Sequence, residues 1–340
     1  MLVSELREVL KKYSQDDLKL IIAEMYKSMP KKMREDKDTD DLIKDVHGYL
    51  KIGKIEKALT KQVSIEELKP EIELFIDYAY KQYYFAPNSY VHKRERPKWR
   101  FIVKQYIKDL QTFRVESPEG KIATDLLSKI YTMLSYACGY YIFNTENPFS
   151  SVGIRQTELL DIVIKRILGN GIDRESVKSA ILLVINSDVD PETLYSSLIN
   201  SLISNLNTTD FKEMAIEQSL KIKEEMAKSM IKVRKSTSYE LSQYKREEMN
   251  NMLVEIIFKL YIELCEYDKA IKYFRDNYKE YDKEVTLYVL LQHLHIYGLK
   301  DYWVNVYENA VKSRIKPRER LEETYRYIKE NDMLPEDIYM

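Results

Sequence analysis

The amino-acid sequence predicts an all-α protein of antiparallel helical hairpins, arranged as an α-solenoid or an irregular helical repeat. Three observations carry this. Only 8 Gly and 9 Pro occur in 340 residues, so turns, bulges and phosphate-cradling loops, which lean on both, must be few. Apolar residues recur at helical spacing between cap residues along most of the chain. No stretch alternates apolar and polar residues between turn residues, as a half-buried strand would. The apolar run 181–185 follows a helix start at Asp173 to Lys178 and reads as buried helix.

Taken in order, Ser4 opens a helix with Leu6, Val9 and Leu10 on one stripe. Ser14 caps a second, with Asp17 completing a capping box and Leu18, Ile21, Ile22 and Met25 as its stripe. The charged stretch Lys31 to Asp41 is expected as a solvated link. A helix then carries Leu42, Val46, Tyr49 and Leu50 up to Gly53, and a short one holds Ile55, Ala58 and Leu59. Ser64 and Glu67 match a capping box, and the helix beyond Pro70 runs from Ile72 to Tyr84, stopping at Pro87-Asn88. Pro97 begins another, with Trp99, Ile102, Val103, Tyr106 and Leu110 on one face. Ser117-Pro118-Glu119 combines a cap, a first-turn proline and an acid at the positive helix end, and opens a helix expected to reach Phe143.

Residues 144–153 read as a loop. Helices are expected over 154–168, 173–186 and 190–206, with Asp173 and Asp190 as caps and Pro191 in a first turn. Links this short make neighbouring helices antiparallel. The polar cluster Asn205 to Asp210 is the expected boundary between an N-terminal helical domain, 1–206, and a C-terminal helical region, 207–340. Helices over 210–234 and 239–264, joined by Lys235 to Ser238, lead to shorter ones over 268–279, 283–297, 301–313 and 318–330.

One segment resembles a tetratricopeptide repeat. Ile257 and Tyr261 take the leucine and tyrosine positions of its first helix, and Tyr267-x-x-Ala270-x-x-x-Phe274 is the core of its second. Ala270 is small where two helices of a hairpin cross, and Phe274 fills the next layer. The sequence departs from the pattern at Phe258, where a small residue is usual, at Cys265 in place of the turn glycine, and at Asp282 in place of the proline. Tyr288 to Pro317 resembles a degenerate second copy, and 53–58 a fainter echo. The resemblance implies that Met252, Glu255, Lys259, Ile262 and Glu263 line a concave face that holds a peptide or partner protein. The residue types equally suit solvated polar positions, with Ile262 and Met252 in the core.

The sharpest local feature is the run from His92 to Arg100, with Lys104 one turn on. Six basic residues (Lys93, Arg94, Arg96, Lys98, Arg100 and Lys104) face one acid, Glu95. Arginine holds phosphate or carboxylate bidentately, and Trp99 is of the type that stacks on a base. As an anion or nucleic-acid site the segment offers Arg94, Arg96, Lys98, Trp99, Arg100 and Lys104. As plain structure it is a charged loop with Trp99 anchored in the core. The preceding tyrosines, Tyr78 to Tyr84, suit either reading.

Other chemistry finds little support. His293 and His295 lie roughly 200° apart around a helix and cannot chelate one ion. No paired-cysteine motif, nucleophile elbow or glycine-rich phosphate loop is present. Gly169-Asn170-Gly171 is a turn between helices. No metal, no cofactor and no catalytic activity are expected. With 54 Lys+Arg against 55 Asp+Glu, no whole-molecule field pulls the chain onto nucleic acid or anionic lipid. Cys138 and Cys265 read as free thiols of a reducing compartment. No signal-peptide core and no run of roughly 20 apolar residues appear. The expectation is a cytoplasmic, non-catalytic helical adaptor that binds a peptide or protein, with tyrosine-rich faces suited to homo-oligomers. Binding of nucleic acid or a phosphate ligand through 92–104 is the alternative.

Overall fold

Helix is the only regular structure in the computed structural model, which describes residues 3–31, 34, 39–46, 64–169, 171, 173–233 and 243–336. The all-α class expected from the sequence is therefore the observed one. Two units separate at Ser64/Ile65. Among the described residues no helix is long and apolar enough to cross a membrane.

In the first unit, α1 is Val3–Leu10, α2 Gln15–Ser28 and α3 Thr39–Lys44. Ser14 and Asp17 form the reciprocal capping box, which satisfies two donors that a bare helix start leaves orphaned. The Tyr26 hydroxyl donates to Asp40 Oδ1 at 2.6 Å and ties α2 to α3. α3 starts within the stretch expected as a link. The helix ending at Gly53, in its part beyond residue 46, the short helix 55–59 and the echo at 53–58 lie outside the described residues, as does the link 235–238.

In the second unit, α4 is Ile65–Tyr80, α5 Trp99–Gln111, α6 Pro118–Gly139, α7 Pro148–Val152, α8 Gln156–Gly169, α9 Arg174–Ile185 and α10 Tyr195–Ser204. They are followed by α11 Thr209–Val233, α12 Gln243–Glu263, α13 Tyr267–Asn277, α14 Lys283–Ile296, α15 Lys300–Lys312 and α16 Glu319–Asn331. α4 and α5 pack on α6, α6 on α8, and α8 on α9 and α10. From α11 onward each helix packs on the next. The expected boundary at 206/207 is bridged by α9 on α11, by α10 on α12 and by α9 on α12.

Four local departures from the sequence reading have identifiable causes. α4 ends at Tyr80 because Gln82 turns left-handed (φ 60) and Tyr83 N–H reaches back to Tyr78 O at 3.0 Å. α6 stops at Gly139, and the chain reverses to bury Ile142 and Phe143. The expected loop 144–153 contains α7, capped by Asn147. Asp190 caps no helix; its carboxylate accepts from Glu192 N–H at 2.9 Å in an Asx turn, and α10 starts only at Tyr195.

One turn recurs. Gly153 (φ 81), Cys265 (φ 60), Gly298 (φ 66) and Arg314 (φ 61) each sit left-handed just past a helix. In each case the next N–H reaches the carbonyl five residues back: Ile154 to Phe149, Glu266 to Tyr261, Leu299 to Leu294 and Ile315 to Ala310. Cys265 and Gly298 are 33 residues apart, and the same offset relates the buried pairs Ile257/Leu290, Tyr261/Leu294, Ala270/Trp303 and Phe274/Tyr307.

Candidate functional site: an acidic tyrosine-lined trough and a basic cleft

The trough is built on α12. This helix is buried on most sides, so its polar side chains must find partners inside the protein or open onto a concavity. Asn250 and Asn251, poor helix formers in mid-helix, show the first solution. Asn251 Nδ2 donates to Lys279 O at 2.9 Å while Lys279 N–H donates to Asn251 Oδ1 at 2.9 Å. Asn250 Nδ2 donates to Asn277 O at 3.2 Å. These bonds hold the α13–α14 link against α12 and raise a wall beside it.

Between that wall and α10 lies a cavity of about 720 Å³. Tyr195, Tyr278 and Tyr281 supply its aromatic lining and Met252 an apolar floor. Glu247, Glu248, Glu255 and Glu280 line it, against one cation, Lys279. Tyr281 stands 98% exposed at the lip. The opposite side is positioned from the core. Buried Gln156 accepts from Asp190 N–H at 2.9 Å and donates to Asp188 O at 2.8 Å. Ser135 Oγ bonds both the N–H and the carbonyl of Asp188. The fixed Asp188 carboxylate holds Lys245 at 2.9 Å, and Lys245 holds Glu248 at 3.1 Å. Burial alone would lower the Lys245 pKa, but these two carboxylates raise it.

The deepest acid is Glu255. Burial raises its pKa, opposed by Lys259. Its Oε2 lies 3.7 Å from His293 Nε2, beyond hydrogen-bond reach. That Nε2 is buried without a partner, and burial followed by the Lys259 charge brings the His293 pKa down to about 4. His293 is wedged between Phe258 and Phe274 at 5.4 and 5.8 Å between ring centres. Burial also lowers the Lys259 pKa, and its Nζ donates to Asn200 Oδ1 at 2.7 Å.

The residues expected on one concave face divide. Met252 and Glu255 line the trough. Lys259 and Ile262 do not reach a surface, because α10, α11 and α13 all pack on α12 and bury them. Glu263 is exposed but engaged, at 2.8 Å from Lys212. Tyr195, Tyr278, Tyr281, Glu247, Glu248 and Asn251 were not singled out from sequence, since they come from three separate segments. The mid-helix asparagine pair was the one local signal.

The basic cleft forms where the chain passes from α4 to α5. The Asn88 side chain shapes the turn after Pro87, donating to Tyr83 O and Ala86 O and accepting from Tyr90 and Val91 N–H. Tyr83 stacks on Tyr90 at 4.6 Å, so these tyrosines pack on one another. Arg96 braces the loop, with Nε donating to Val91 O at 3.1 Å and Nη2 to Asn88 O at 3.4 Å. Trp99 is core: it stacks on Phe143 at 3.9 Å and 10°, the plain structural one of the two readings its sequence position offered. Lys98 is paired with Glu95 at 2.8 Å. Arg94, Arg100 and Lys104 are exposed, with the Arg100 guanidinium 4.9 Å from the Phe101 ring centre. Arg96, Trp99 and Arg100 line the cleft of about 530 Å³ together with Lys93. Arg94, Lys98 and Lys104 lie outside its lining.

Among the described residues no group of three or more His, Cys, Asp or Glu is placed to hold a metal ion. The Cys138 thiol is pushed up to about 12 by burial, then by Asp190 and Asp188, so it is inert near neutrality. The chain matches no family model, no curated protein and no solved structure.

Proposed function

We propose that this chain is a non-catalytic scaffold of tetratricopeptide-like helical hairpins that holds a basic segment of a partner protein in the α12 trough. The observation that carries this is the trough lining itself: four carboxylates and three tyrosines around about 720 Å³, with a single lysine among them. Carboxylates and aromatic faces together recognise ammonium and guanidinium groups. The Glu255 carboxylate, partly buried and with no hydrogen bond among the described residues, opens into the trough where it can receive one. The 33-residue offset between Cys265 and Gly298, and between the buried positions around them, supports the repeat reading. Small Ala270 at the crossing and Phe274 in the next layer are both fully buried, in keeping with it.

The test is direct binding. Purified full chain is titrated into fluorescent lysine- and arginine-containing peptides and into acidic peptides of equal length. The reading expects basic peptides to bind, and Glu247→Lys/Glu280→Lys to weaken them at least tenfold while thermal stability is kept. Equal binding of acidic and basic peptides, or no effect of the double charge reversal, would end it.

A further inference from the structure

The basic cleft is a different surface from the trough, and its chemistry points to a ligand of opposite sign. Some cations of this unit are answered by nearby acids: Lys129 by Asp125 at 2.8 Å, Lys178 by Glu225 at 2.9 Å and Arg318 by Glu284 at 2.6 Å. The segment 93–104 gathers cations without such partners. Of its six cations only Lys98 is in an ion pair among the described residues. Three cations, Lys93, Arg96 and Arg100, line one cleft, and no carboxylate lines it with them. Like charges gathered around a concavity repel one another, and the low-dielectric walls of a cleft strengthen the field they share. A bound anion relieves that repulsion.

Arg96 adds geometry to charge. Two of its nitrogens are committed to Val91 O and Asn88 O, so the guanidinium is held in place before any ligand arrives. Its Nη1 donates no hydrogen bond among the described residues and is left for a ligand. Across the cleft stand the polar side chains of Asn144, Thr145 and Ser151. Tyr84 and Phe85 form the aromatic side, with Phe85 41% exposed and its ring near-parallel to Tyr141 at 5.9 Å. Three cations around one cleft, Arg96 braced and Lys93 and Arg100 exposed, beside an exposed ring suit a phosphoryl group attached to a flat, stacking body.

We propose that this cleft binds a ligand of the nucleotide class, with Lys93, Arg96 and Arg100 on a phosphoryl group and Phe85 beside the base. The phosphoryl group belongs either to a free nucleotide or to a single strand of nucleic acid. Peptide capture in the trough plays no part in the argument, so the two can fail separately.

The experiment uses the full chain and three probes: inorganic phosphate, AMP and a fluorescent single-stranded RNA 12-mer. Binding is followed by calorimetry and anisotropy at 50 and 200 mM salt. With about three phosphates neutralised, strand affinity falls roughly 20-fold between the two salts. Lys93→Glu/Arg100→Glu, at two exposed positions, lowers affinity at least tenfold. Lys312→Glu, an exposed charge reversal on α15, changes it less than twofold. Far-UV circular dichroism and thermal melting confirm that both variants fold. Binding of AMP identifies a free nucleotide, and binding of the RNA alone identifies a strand; either supports the site. Binding of inorganic phosphate alone, of no probe, or binding unchanged by Lys93→Glu/Arg100→Glu overturns it.

Discussion

Asn251 and Lys279 exchange two hydrogen bonds of 2.9 Å each, side-chain amide against backbone amide, across the edge of the α12 trough. An asparagine in mid-helix here does what a neighbouring strand does in a sheet: it satisfies both polar groups of one residue of a passing chain. The link that carries Tyr278, Glu280 and Tyr281 is thereby pinned to the helix that carries Glu247 and Glu255.

Asn251→Ala should release that link. Two modest hydrogen bonds at a partly solvated site contribute about 1–2 kcal/mol together. The expected result is a fall in stability of that size in urea, with a larger relative loss of basic-peptide affinity. Asn251→Asp keeps the acceptor for Lys279 N–H and should fall between. Peptide affinity unchanged in Asn251→Ala would show that the wall does not shape the trough.

Trp99 and Phe143 make the second testable relationship. Their stacked rings close an aromatic core in which other rings also meet: the Phe75 ring centre lies 4.8 Å from that of Tyr84 and 5.7 Å from that of Tyr106. Trp99→Ala should cost about 3–5 kcal/mol, the range for emptying a large aromatic site. Trp99→Phe should keep the fold and leave nucleotide affinity within twofold, because the indole is spent on the core. Loss of binding in folded Trp99→Phe would return the indole to the ligand.

His293 sets a pH dependence. It is neutral in the folded protein, with its pKa down at about 4 against about 6.5 unfolded. The unfolded chain therefore binds more protons between those values, and stability contributed at neutral pH drains away as pH falls from about 6.5 toward 4. From pH 6.5 to 5 the loss is about 2 kcal/mol. Glu255 acts in the opposite sense: its raised pKa makes the folded state take up a proton first, which offsets part of the loss on acidification. Comparing wild type with His293→Gln isolates the histidine. The variant should show a flatter urea midpoint between pH 7 and 5, and identical slopes would remove His293 from the account.

The helices themselves were readable because each carries its own signal. Ser14 with Asp17, Ser117 before Pro118, and Asp173 cap the helices that follow them as their sequence spacing requires. What local pattern could not show was where a cap residue is diverted. Asp190 looks like a helix start, yet its N–H serves buried Gln156 and its carboxylate closes a turn. Phe143 looks like the end of α6, yet it leaves the helix to meet Trp99, a partner 44 residues away. The candidate sites lie at the far end of the same scale. Lys259 reads as a surface position by repeat register and Ile262 as either groove or core, and the packing of α10 and α11 on α12 buries both. The trough draws Tyr195, Glu247 and Tyr278 from three segments, which no periodicity within one helix can assemble. The basic cleft was visible as charge, because its three cations fall within eight consecutive residues.

Cys265 and Gly298 offer a paired test of the proposed hairpin repeat. Both occupy the left-handed position that ends the first helix of a pair, at φ 60 and 66. A residue with a Cβ pays roughly 1–2 kcal/mol for that conformation, whereas glycine pays mainly through the freedom it loses on folding, about 0.5–1 kcal/mol. The two terms leave a net preference for glycine of about 1 kcal/mol. Cys265→Gly should therefore stabilise the protein by up to about 1 kcal/mol, while Gly298→Ala should destabilise it by about the same amount. Nothing lies within 4 Å of a Cβ added at Gly298, so a loss there reports the backbone and not a clash. Cys265→Ala, which keeps the Cβ, should leave stability nearly unchanged and separates the backbone effect from loss of the thiol. Opposite signs for Cys265→Gly and Gly298→Ala in urea titrations are the expected result. A destabilised Cys265→Gly would mean that the turn after α12 is held by its side chain and that the two hairpins are not equivalent.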